Sequence, residues 1–506
     1  MLCFDSYPFF YKNSFFLRDT NGPHPCVILY YLENAYIYKQ LLIIIMRKIF
    51  VMLSVLLLTL SLNAEIIKRG QVNSSNLKKM AGSVYAYEAP TEPLTPTPKG
   101  FKPVYLTHFG RHGSRFLDNA SNYDRPYNIL KEADDAGALT DFGKDVLRRV
   151  EIIRAEADQR AGDLTQKGMQ QHRDIARRMV ENYPELFTND KIIMARSTTS
   201  HRVLVSEYSA LMQILRMRPK IKFDYDSSNH DEPWMYTEDK GVSAHKRKIS
   251  AAVSEFNQRH THPERLMSAL FKDPEYIKTA GGRDQSGSLY SSLYDLASYV
   301  QGSDPGVDLN DVFTYDEWYD LFLMNNMRWY SQAGYTPLTD NVVPYGHCVT
   351  LQNFLDFADE ALAGNGVSVI LRYGHEVTLM SFFSLLDLND SGYSTDDLES
   401  VADHWAAYNY AYMGGNVQWV FFRNKKGEVI VKFLMNENEA TLPESVPFYK
   451  DAKGKELRPY YRWEDVRKFY QAKIDYWEDY KAHDDTPVED TSTRRSYRQE
   501  INTATN

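Results

Sequence analysis

Residues 104–118 read VYLTHFGRHGSRFLD. The apolar run 104–106 predicts a short buried β-strand, and the residues after it gather two arginines, a histidine and two glycines in one loop. The same order recurs twice: KIIMA at 191–195 precedes RSTTSHR, and VSVIL at 367–371 precedes RYGHE. Each later loop leads into apolar residues with helical spacing. This rhythm is typical of a mainly parallel sheet flanked by helices, and it predicts an α/β fold.

The three charged loops are predicted to lie at one edge of that sheet, because ligands bind outside the carboxyl ends of parallel strands. Guanidinium groups match the oxygens of a phosphate monoester, and a histidine between two of them can attack phosphorus. Gly113 removes side-chain bulk where the backbone must approach a ligand. The residues that we expect to meet there are Arg111, His112, Arg115, Arg202, His375 and Glu376.

Each loop alone also has a plainer interpretation. The first loop could be a solvated basic cluster, Arg202 a surface helix residue, and the His375–Glu376 pair structural. His108 and His112 are four residues apart, a zinc spacing that works only on a helix, and the preceding strand and following glycine disfavour one. The recurrence of all three loops at one sheet edge favours a functional site without a metal.

An export signal is predicted ahead of the folded region. Residues 46–64 begin with Met46, continue with a basic pair and an apolar core, and end at the small residue Ala64. This is the order of parts in a secretory signal peptide, and the core is shorter than the roughly 20 residues of a membrane span. We therefore expect translation to start at Met46, residues 1–45 not to belong to the natural product, and a bacterial periplasmic or extracellular location.

An inserted domain is predicted within the rest of the chain. We expect an extended lead-in over 65–100 and an α/β phosphate-binding domain formed by 101–222 and 346–483. Helical patterns dominate 223–345, which predicts a helical cap domain inserted in the α/β domain. A polar, aperiodic tail is expected over 484–506.

Local signals predict where some elements begin. Thr165 is predicted to cap a helix, so the segment around it has a structural role. Thr314 and Glu317 have the spacing of a capping box. Residues 418–422 and 428–435 flank RNKKG, which predicts a β-hairpin.

Composition narrows the ligand classes. The 506 residues carry a net charge of −9, which argues against a general nucleic-acid binder, so an anionic ligand must be held by a local positive cluster. HKRK at 245–248 could supply further cations for a highly phosphorylated ligand, or it could be a solvated helix face. After the predicted signal the sequence has one cysteine, Cys348, so no internal disulfide is possible there.

The motifs resemble the histidine acid phosphatase family, and within it the branch of phytases and multiple inositol polyphosphate phosphatases. RHGSR at 111–115, DLTQKGMQQH at 163–172, RSTTSHRVLVSEYSAL at 196–211 and GHE at 374–376 carry the resemblance, which extends to about residue 439. The implied fold is an α/β domain with a helical cap, and the implied reaction needs no cofactor.

The resemblance also implies a role for each site residue. His112 would be the nucleophile that forms a phosphohistidine, and Glu376 would protonate the leaving alkoxide and then activate water. Arg111, Arg115, Arg202 and His375 would bind the phosphate group.

The third motif departs from the family pattern. Phytases have Asp directly after the histidine, and the inositol polyphosphate branch usually has Ala followed by Glu. Here Glu376 follows His375 directly, so the chemistry of the acid is kept while its reach becomes an open question.

Two classes of function follow from these residues. The first is a secreted acid phosphatase that acts on small-molecule phosphomonoesters, with inositol polyphosphates such as phytate favoured and sugar phosphates or a broad substrate range as the alternative. The second is a non-enzymatic protein that binds phosphate esters. For neither do we expect nucleic acid, a metal, or a membrane span after signal removal.

Overall fold

The structure is a computed structural model, and it describes residues 66–486. The predicted signal peptide at 46–64, residues 1–45 and most of the predicted tail lie outside this range. Within it, none of the helices combines the length and the apolar character needed to cross a membrane.

One mixed sheet forms the centre of the described chain. The strands lie in the order β3-β2-β4-β1-β5-β6-β9-β8, and β7 pairs with β6. They are β1 (Phe101–Arg111), β2 (Ile192–Ser197), β3 (Lys222–Asp226), β4 (Val367–Gly374), β5 (Asn416–Asn424), β6 (Val429–Met435), β7 (Asn438–Ala440), β8 (Phe448–Lys450) and β9 (Glu456–Arg462).

The sheet has a parallel half and an antiparallel half. β1 pairs in parallel with β4, β4 with β2, and β2 with β3, so the carboxyl ends of the strands before all three motif loops lie at one edge. β5 runs antiparallel to β1, and β5 and β6 form the predicted hairpin. The predicted fold class, an α/β fold with a mainly parallel sheet flanked by helices and an inserted helical cap domain, is confirmed. The antiparallel half is an addition to that prediction.

Helices cover both faces of the sheet and build the region between β3 and β4. The α-helices are α1 (Ser121–Asp135), α2 (Asp141–Glu156), α3 (Gln166–Asn182), α4 (His201–Met217), α5 (Glu232–Met235), α6 (Ser243–Lys248), α7 (Ser250–Arg259), α8 (Glu264–Leu270), α9 (Glu275–Thr279), α10 (Ser286–Tyr299), α11 (Tyr315–Ala333), α12 (Cys348–Ala363), α13 (Glu376–Leu386) and α14 (Trp463–His483). The short 3-10 helices are Leu77–Val84, Pro184–Leu186, Lys240–Val242, Ala280–Gly282, Val300–Gly302, Asn310–Val312, Pro337–Thr339, Val343–His347, Leu388–Asp390, Leu398–Asp403 and Ala407–Asn409.

Alternating side chains of β1 enter two separate cores, as expected for a sheet buried on both faces. Leu106 lies in the core that α3 and α4 cover, together with Val180 and Ile214. Tyr105 lies in the larger core on the other face, which includes Phe354 of α12. The strand is therefore held rigidly from both sides up to the motif loop.

The segment 65–100, which was predicted to be an extended lead-in, contains a helix. Residues 77–84 form a 3-10 helix rather than extended chain, because their apolar residues recur with helical spacing and are buried. The buried residues of this pattern are Leu77, Met80, Ala81 and Val84.

Helices and the loops between them make up the predicted insertion, 223–345, apart from the end of β3. This strand runs from residue 222 to 226, so the sheet extends past the predicted domain boundary. The backbone N–H of Thr140, the N-cap of α2, donates to the carbonyl of Leu270 in α8 at 2.9 Å, so helices from before the insertion pack onto it. The predicted helix start at Thr165 and the predicted capping box at Thr314 are both confirmed.

Candidate active site

The first and third motif loops meet at the ends of two adjacent strands. β1 runs past its predicted end to Arg111, which lies opposite Gly374 of β4. The backbone N–H of His112 donates to the carbonyl of Gly374 at 3.0 Å. His375 follows β4 directly, and Glu376 begins α13. The parallel pairing therefore brings together two motifs that are far apart in the sequence.

Four predicted residues lie in direct contact there. Glu376 Oε2 lies 3.0 Å from Arg111 Nε and 3.5 Å from His112 Nε2. The rings of His112 and His375 are 5.6 Å apart, edge to face. Nδ1 of His112 lies 2.9 Å from the carbonyl oxygen of Gly113, and because a carbonyl only accepts, Nδ1 carries the proton. The lone pair of the neutral ring is thus on Nε2, which faces the carboxyl group.

The other two predicted arginines are placed differently. Arg115 is buried, donates to the carbonyl of Phe116 at 2.8 Å and to Asp118 at 3.0 Å, and lies 5.4 Å above the ring of Tyr299. Arg202 is the second residue of α4 and is partly buried. A helix N-terminus favours an anion, which adds to the charge of this guanidinium.

Several polar nitrogens at this place are buried without a hydrogen-bond partner among the described residues. They are Nη2 of Arg111, Nε of Arg115, Nε of Arg202 and Nε2 of His112. Buried donors are almost always paired in folded proteins, so a group of unpaired ones points to a ligand that supplies the acceptors. Three guanidinium groups call for an anion with several oxygens.

Burial and charge set the protonation states. Burial holds the pKa of His112 well below its ordinary value, and Arg111 adds to the effect, so the ring is neutral. Of these two causes, burial is the larger. Burial together with the arginines lowers the pKa of His375 to about 4. Burial alone would raise the pKa of Glu376, but the charge of Arg111, with that of Arg115, outweighs it and holds this pKa well below its ordinary value.

The start of α3 clamps the loop that carries His112. Oγ1 of Thr165 donates to the carbonyls of Ser114 at 3.0 Å and Gly302 at 2.6 Å. Gln171 accepts from the N–H of Ser114 at 2.8 Å and donates to its Oγ at 2.9 Å. Gly168 packs so closely that a Cβ there would lie 2.8 Å from the nitrogen of Ser114. This segment was predicted to have a structural role, and the structure shows that it holds the loop of His112. The sequence analysis did not single out Gln171 or Gly168.

Two backbone carbonyls and one hydroxyl group complete the site, and no sequence pattern pointed to them. Nη1 of Arg111 donates to the carbonyls of Ser83 and Ala411, the second at 2.9 Å. Nε2 of His375 lies 3.0 Å from Oγ1 of Thr198, at the end of β2. These contacts fix a buried guanidinium and an imidazole in place before any ligand arrives.

A cavity of about 1000 Å³ opens from this site toward the helical insertion. Its sheet end is lined by Thr198, Thr199, Ser200, Arg202, His375 and Val377, and its cap end by Glu238, Lys246, Arg328, Trp329, Gln332, Ala333 and His347. Asn229, Glu232, Tyr236 and Thr237, from the start of the insertion, also line the cavity. The ring of Tyr236 lies 5.1 Å from that of His375, edge to face.

Within residues 66–486, one group of side chains has the spacing to hold a metal ion, and it lies among positive charges that oppose a cation. One ligand atom each from His112, His375 and Glu376 lies within 4.8 Å of the others. The three arginines make this place unfavourable for a divalent cation and favourable for an anion. His108 is not part of the group: it lies on β1, where its ring packs 5.2 Å from that of Tyr373.

The residues of the HKRK run take different places. Lys246 fits the predicted role of a cation at the cavity, and Lys248 fits the predicted role of a solvated helix face. His245 is buried and bridges Asp340 and Asp484, and Lys248 is exposed and pairs with Asp340. Lys246 alone among these residues lines the cavity within the part of the chain that the structure describes.

The class of protein follows from the fold, the site and a family match. The model of the histidine phosphatase superfamily (branch 2) matches residues 109–212, the stretch that contains the first two motif loops. This match confirms the resemblance to histidine acid phosphatases, and with it the predicted enzyme class, a phosphoric monoester hydrolase.

Solved structures share the fold over nearly their whole length. The multiple inositol polyphosphate phosphatase of Bifidobacterium longum in complex with inositol hexasulfate is 17% identical, with a TM-score of 0.60, over 78% of this chain and 98% of its own. The same enzyme with phosphate gives 16% identity and a TM-score of 0.63. The phytase from D. castellii is 13% identical, with a TM-score of 0.59, over 84% of this chain and 92% of its own. No curated protein sequence matches the chain.

Proposed function

We propose that the protein is a secreted histidine acid phosphatase that hydrolyses phosphomonoesters, inositol polyphosphates such as phytate above all, through a phosphohistidine on His112. The observation that carries this proposal is the set of unpaired buried guanidinium nitrogens around the neutral, unpaired Nε2 of His112. A phosphate group supplies the missing acceptors and places phosphorus beside the nucleophile.

In the first step, Arg111, Arg115, Arg202 and His375 hold the phosphate oxygens. Nε2 of His112 attacks phosphorus, the bond to the ester oxygen breaks, and the alkoxide takes a proton from Glu376. The bound phosphate dianion offsets the positive charge that lowers the pKa of Glu376, so this carboxyl group can carry a proton at acidic pH.

In the second step, Glu376 acts as the base. Its carboxylate takes a proton from water, the water oxygen attacks phosphorus, and the bond to His112 breaks to release inorganic phosphate. The arginines stabilise the charge on the phosphoryl oxygens in both steps. The contact of 3.5 Å between Glu376 Oε2 and His112 Nε2 supports this role despite the departure from the family motif.

The size of the cavity supports a substrate larger than inorganic phosphate. At about 1000 Å³, it exceeds what one phosphate group fills, and a solved phosphatase of this fold is described in complex with inositol hexasulfate. Glu232 and Glu238 also line it, and their carboxylates favour sugar phosphates as the second candidate, because hydroxyl groups tolerate them better than further phosphates do.

Export is part of the same proposal. Residues 46–64 carry the parts of a secretory signal peptide, and a periplasmic or extracellular enzyme would meet phosphate esters from outside the cell.

Phosphate release from phytate and from glucose 1-phosphate tests the proposal, with residues 65–506 assayed between about pH 4 and pH 7 in EDTA. His112→Ala should abolish release, while His483→Ala, an exposed histidine at the end of α14, should not. Faster hydrolysis of the sugar phosphate would favour the second candidate. Release that persists in His112→Ala, or wild-type binding without turnover, would refute the enzymatic proposal.

A further inference from the structure

A carboxylate–ammonium pair lies at the cap end of the cavity. Nζ of Lys246 contacts Oε1 of Glu238, and the two side chains are 16% and 26% exposed. Both residues line the cavity. Such a pair in a partly buried place interacts more strongly than one in open solvent.

Glu238 is held in place by the chain that packs over it. A Cβ on Gly346 would lie 2.7 Å from Cγ of Glu238, so the backbone there packs directly onto the side chain. The N–H of the next residue, Asp239, donates to the carbonyl of Gly346 at 2.9 Å. These contacts hold the stem of Glu238 on the side of the cavity where Lys246 lies.

The other lining groups at the cap end leave few charges to bind an anion. His347 is buried, and burial lowers its pKa to about 3, so its ring is neutral. Arg328 is exposed and lies 5.4 Å from the ring of Trp329. At neutral pH Glu238 offsets the charge of Lys246, so Arg328, which also interacts with Asp295, is the other cation available to an incoming anion among the described lining residues of that end.

We infer that Glu238 is a specificity-determining residue, which engages Lys246 and thereby limits how many phosphate groups of a substrate the cap end accepts. This inference rests on the proposed function, since it concerns the substrate preference of the same site. A polyol with one phosphate at the sheet end presents hydroxyl groups that hydrogen-bond to the intact pair. A further phosphate at the cap end must displace Glu238 from Lys246 and meets its negative charge.

Glu238→Gln tests the inference, since it keeps the shape of the side chain and removes the charge. The readout is kcat/KM for phytate divided by kcat/KM for glucose 1-phosphate, and we expect this ratio to rise about tenfold. Glu275→Gln on α9 is the matched control, because it removes the same charge from an exposed place outside the cavity and should leave the ratio unchanged.

Lys246→Gln tests the same pair from the other side. It is the variant to use if Glu238→Gln does not fold. It leaves Glu238 uncompensated, so the ratio should fall. A ratio that stays constant in both variants, or that falls in Glu238→Gln because Glu238 only orients Lys246, overturns the inference.

Failure of the proposed function is distinguished by a binding measurement. If the wild-type protein hydrolyses neither ester, the phosphatase proposal is wrong. Calorimetric titration with inositol hexasulfate then still tests Glu238: tighter binding to Glu238→Gln than to wild type supports the inference, and equal or weaker binding overturns it.

Discussion

The two ends of the cavity are built from different parts of the fold and carry different charge. The sheet end rests on paired strands, and its three arginines outnumber the two carboxylates paired with them, Glu376 and Asp118. The cap end rests on the helical insertion, where the charge of Lys246 is already matched by Glu238. The sheet end therefore has the excess of positive charge that phosphoryl transfer needs, and the cap end decides what may be attached to the phosphate.

This difference predicts how substitutions should divide. Changes at the sheet end should affect every phosphate ester alike, because they alter the reaction itself. Changes at the cap end should alter the ranking of substrates and leave the hydrolysis of a small ester nearly as it was. Four experiments test the division, and they are given in order of the expected effect.

Glu376→Gln should lower kcat about 10³-fold for phytate and for glucose 1-phosphate. Both release an alkoxide that needs a proton, which Gln cannot supply. With p-nitrophenyl phosphate, whose leaving group needs no proton, formation of the phosphoenzyme should be much less affected. Rapid quenching in alkali, in which a phosphohistidine survives, followed by measurement of phosphate bound to the protein, checks this. Equal slowing with all three esters would contradict the role of Glu376 as an acid.

Gly168→Ala should lower kcat about 10²-fold for all esters, since a misplaced nucleophile is costly. The new Cβ would lie against the backbone of Ser114 and displace the loop of His112. The matched control is Gly287→Ala in α10, where nothing lies within 4 Å of the new Cβ. Because Gly287 has room for the new Cβ and Gly168 does not, only the first variant should lose activity.

Acid should destabilise the fold through two histidines behind the sheet end. Burial lowers the folded-state pKa of His108 and of His172 to about 3, from an ordinary 6.5. The unfolded chain therefore binds more protons, and stability falls as the pH drops from about 6.5 toward 3, by on the order of 2 kcal/mol for each histidine at pH 4.5. Urea denaturation at pH 7 and pH 4.5 checks this: His172→Gln should lose less stability than wild type, and His483→Gln should lose the same amount.

Arg328→Gln should have the smallest effect, at the cap end. We expect kcat/KM for phytate to fall about fivefold and that for glucose 1-phosphate to change by less than twofold, since Arg328 meets only the far groups of a large anion. Steady-state measurement of kcat/KM for both esters checks this prediction. An equal loss for both would show that the cap end takes part in the reaction itself.

Much of the sheet end could be predicted from sequence because its chemistry is local. The strand–loop–helix rhythm placed Arg111, His112, Arg202, His375 and Glu376 at one edge, and the structure brings them there. The predicted strand was too short, since polar residues such as His108 read as loop although they are buried in β1. Predictions from the pattern of apolar residues fail at such positions, because the buried side chains there are polar.

The cap end could not be predicted in the same way. Lys246 lies in a run of four basic or titratable residues, and only the packing of α6 decides which of them faces the cavity. Its pairing with Glu238 depends on the close approach of Gly346, for which the sequence has no periodic signal. Contacts of backbone carbonyls, such as that of Ser83 with Arg111, cannot be predicted from the sequence either, because every residue has a carbonyl.

The two carbonyls that hold Arg111 also bear on the synthesis of the protein. Ser83 precedes Arg111 along the chain, while Ala411 lies 300 residues after it. During synthesis, the nucleophile His112 is therefore added early. Ala411, whose carbonyl holds Arg111, is added late. No ribosome-bound fragment that ends before Ala411 can hold the assembled site, so the activity should appear only when nearly the whole polypeptide has been made.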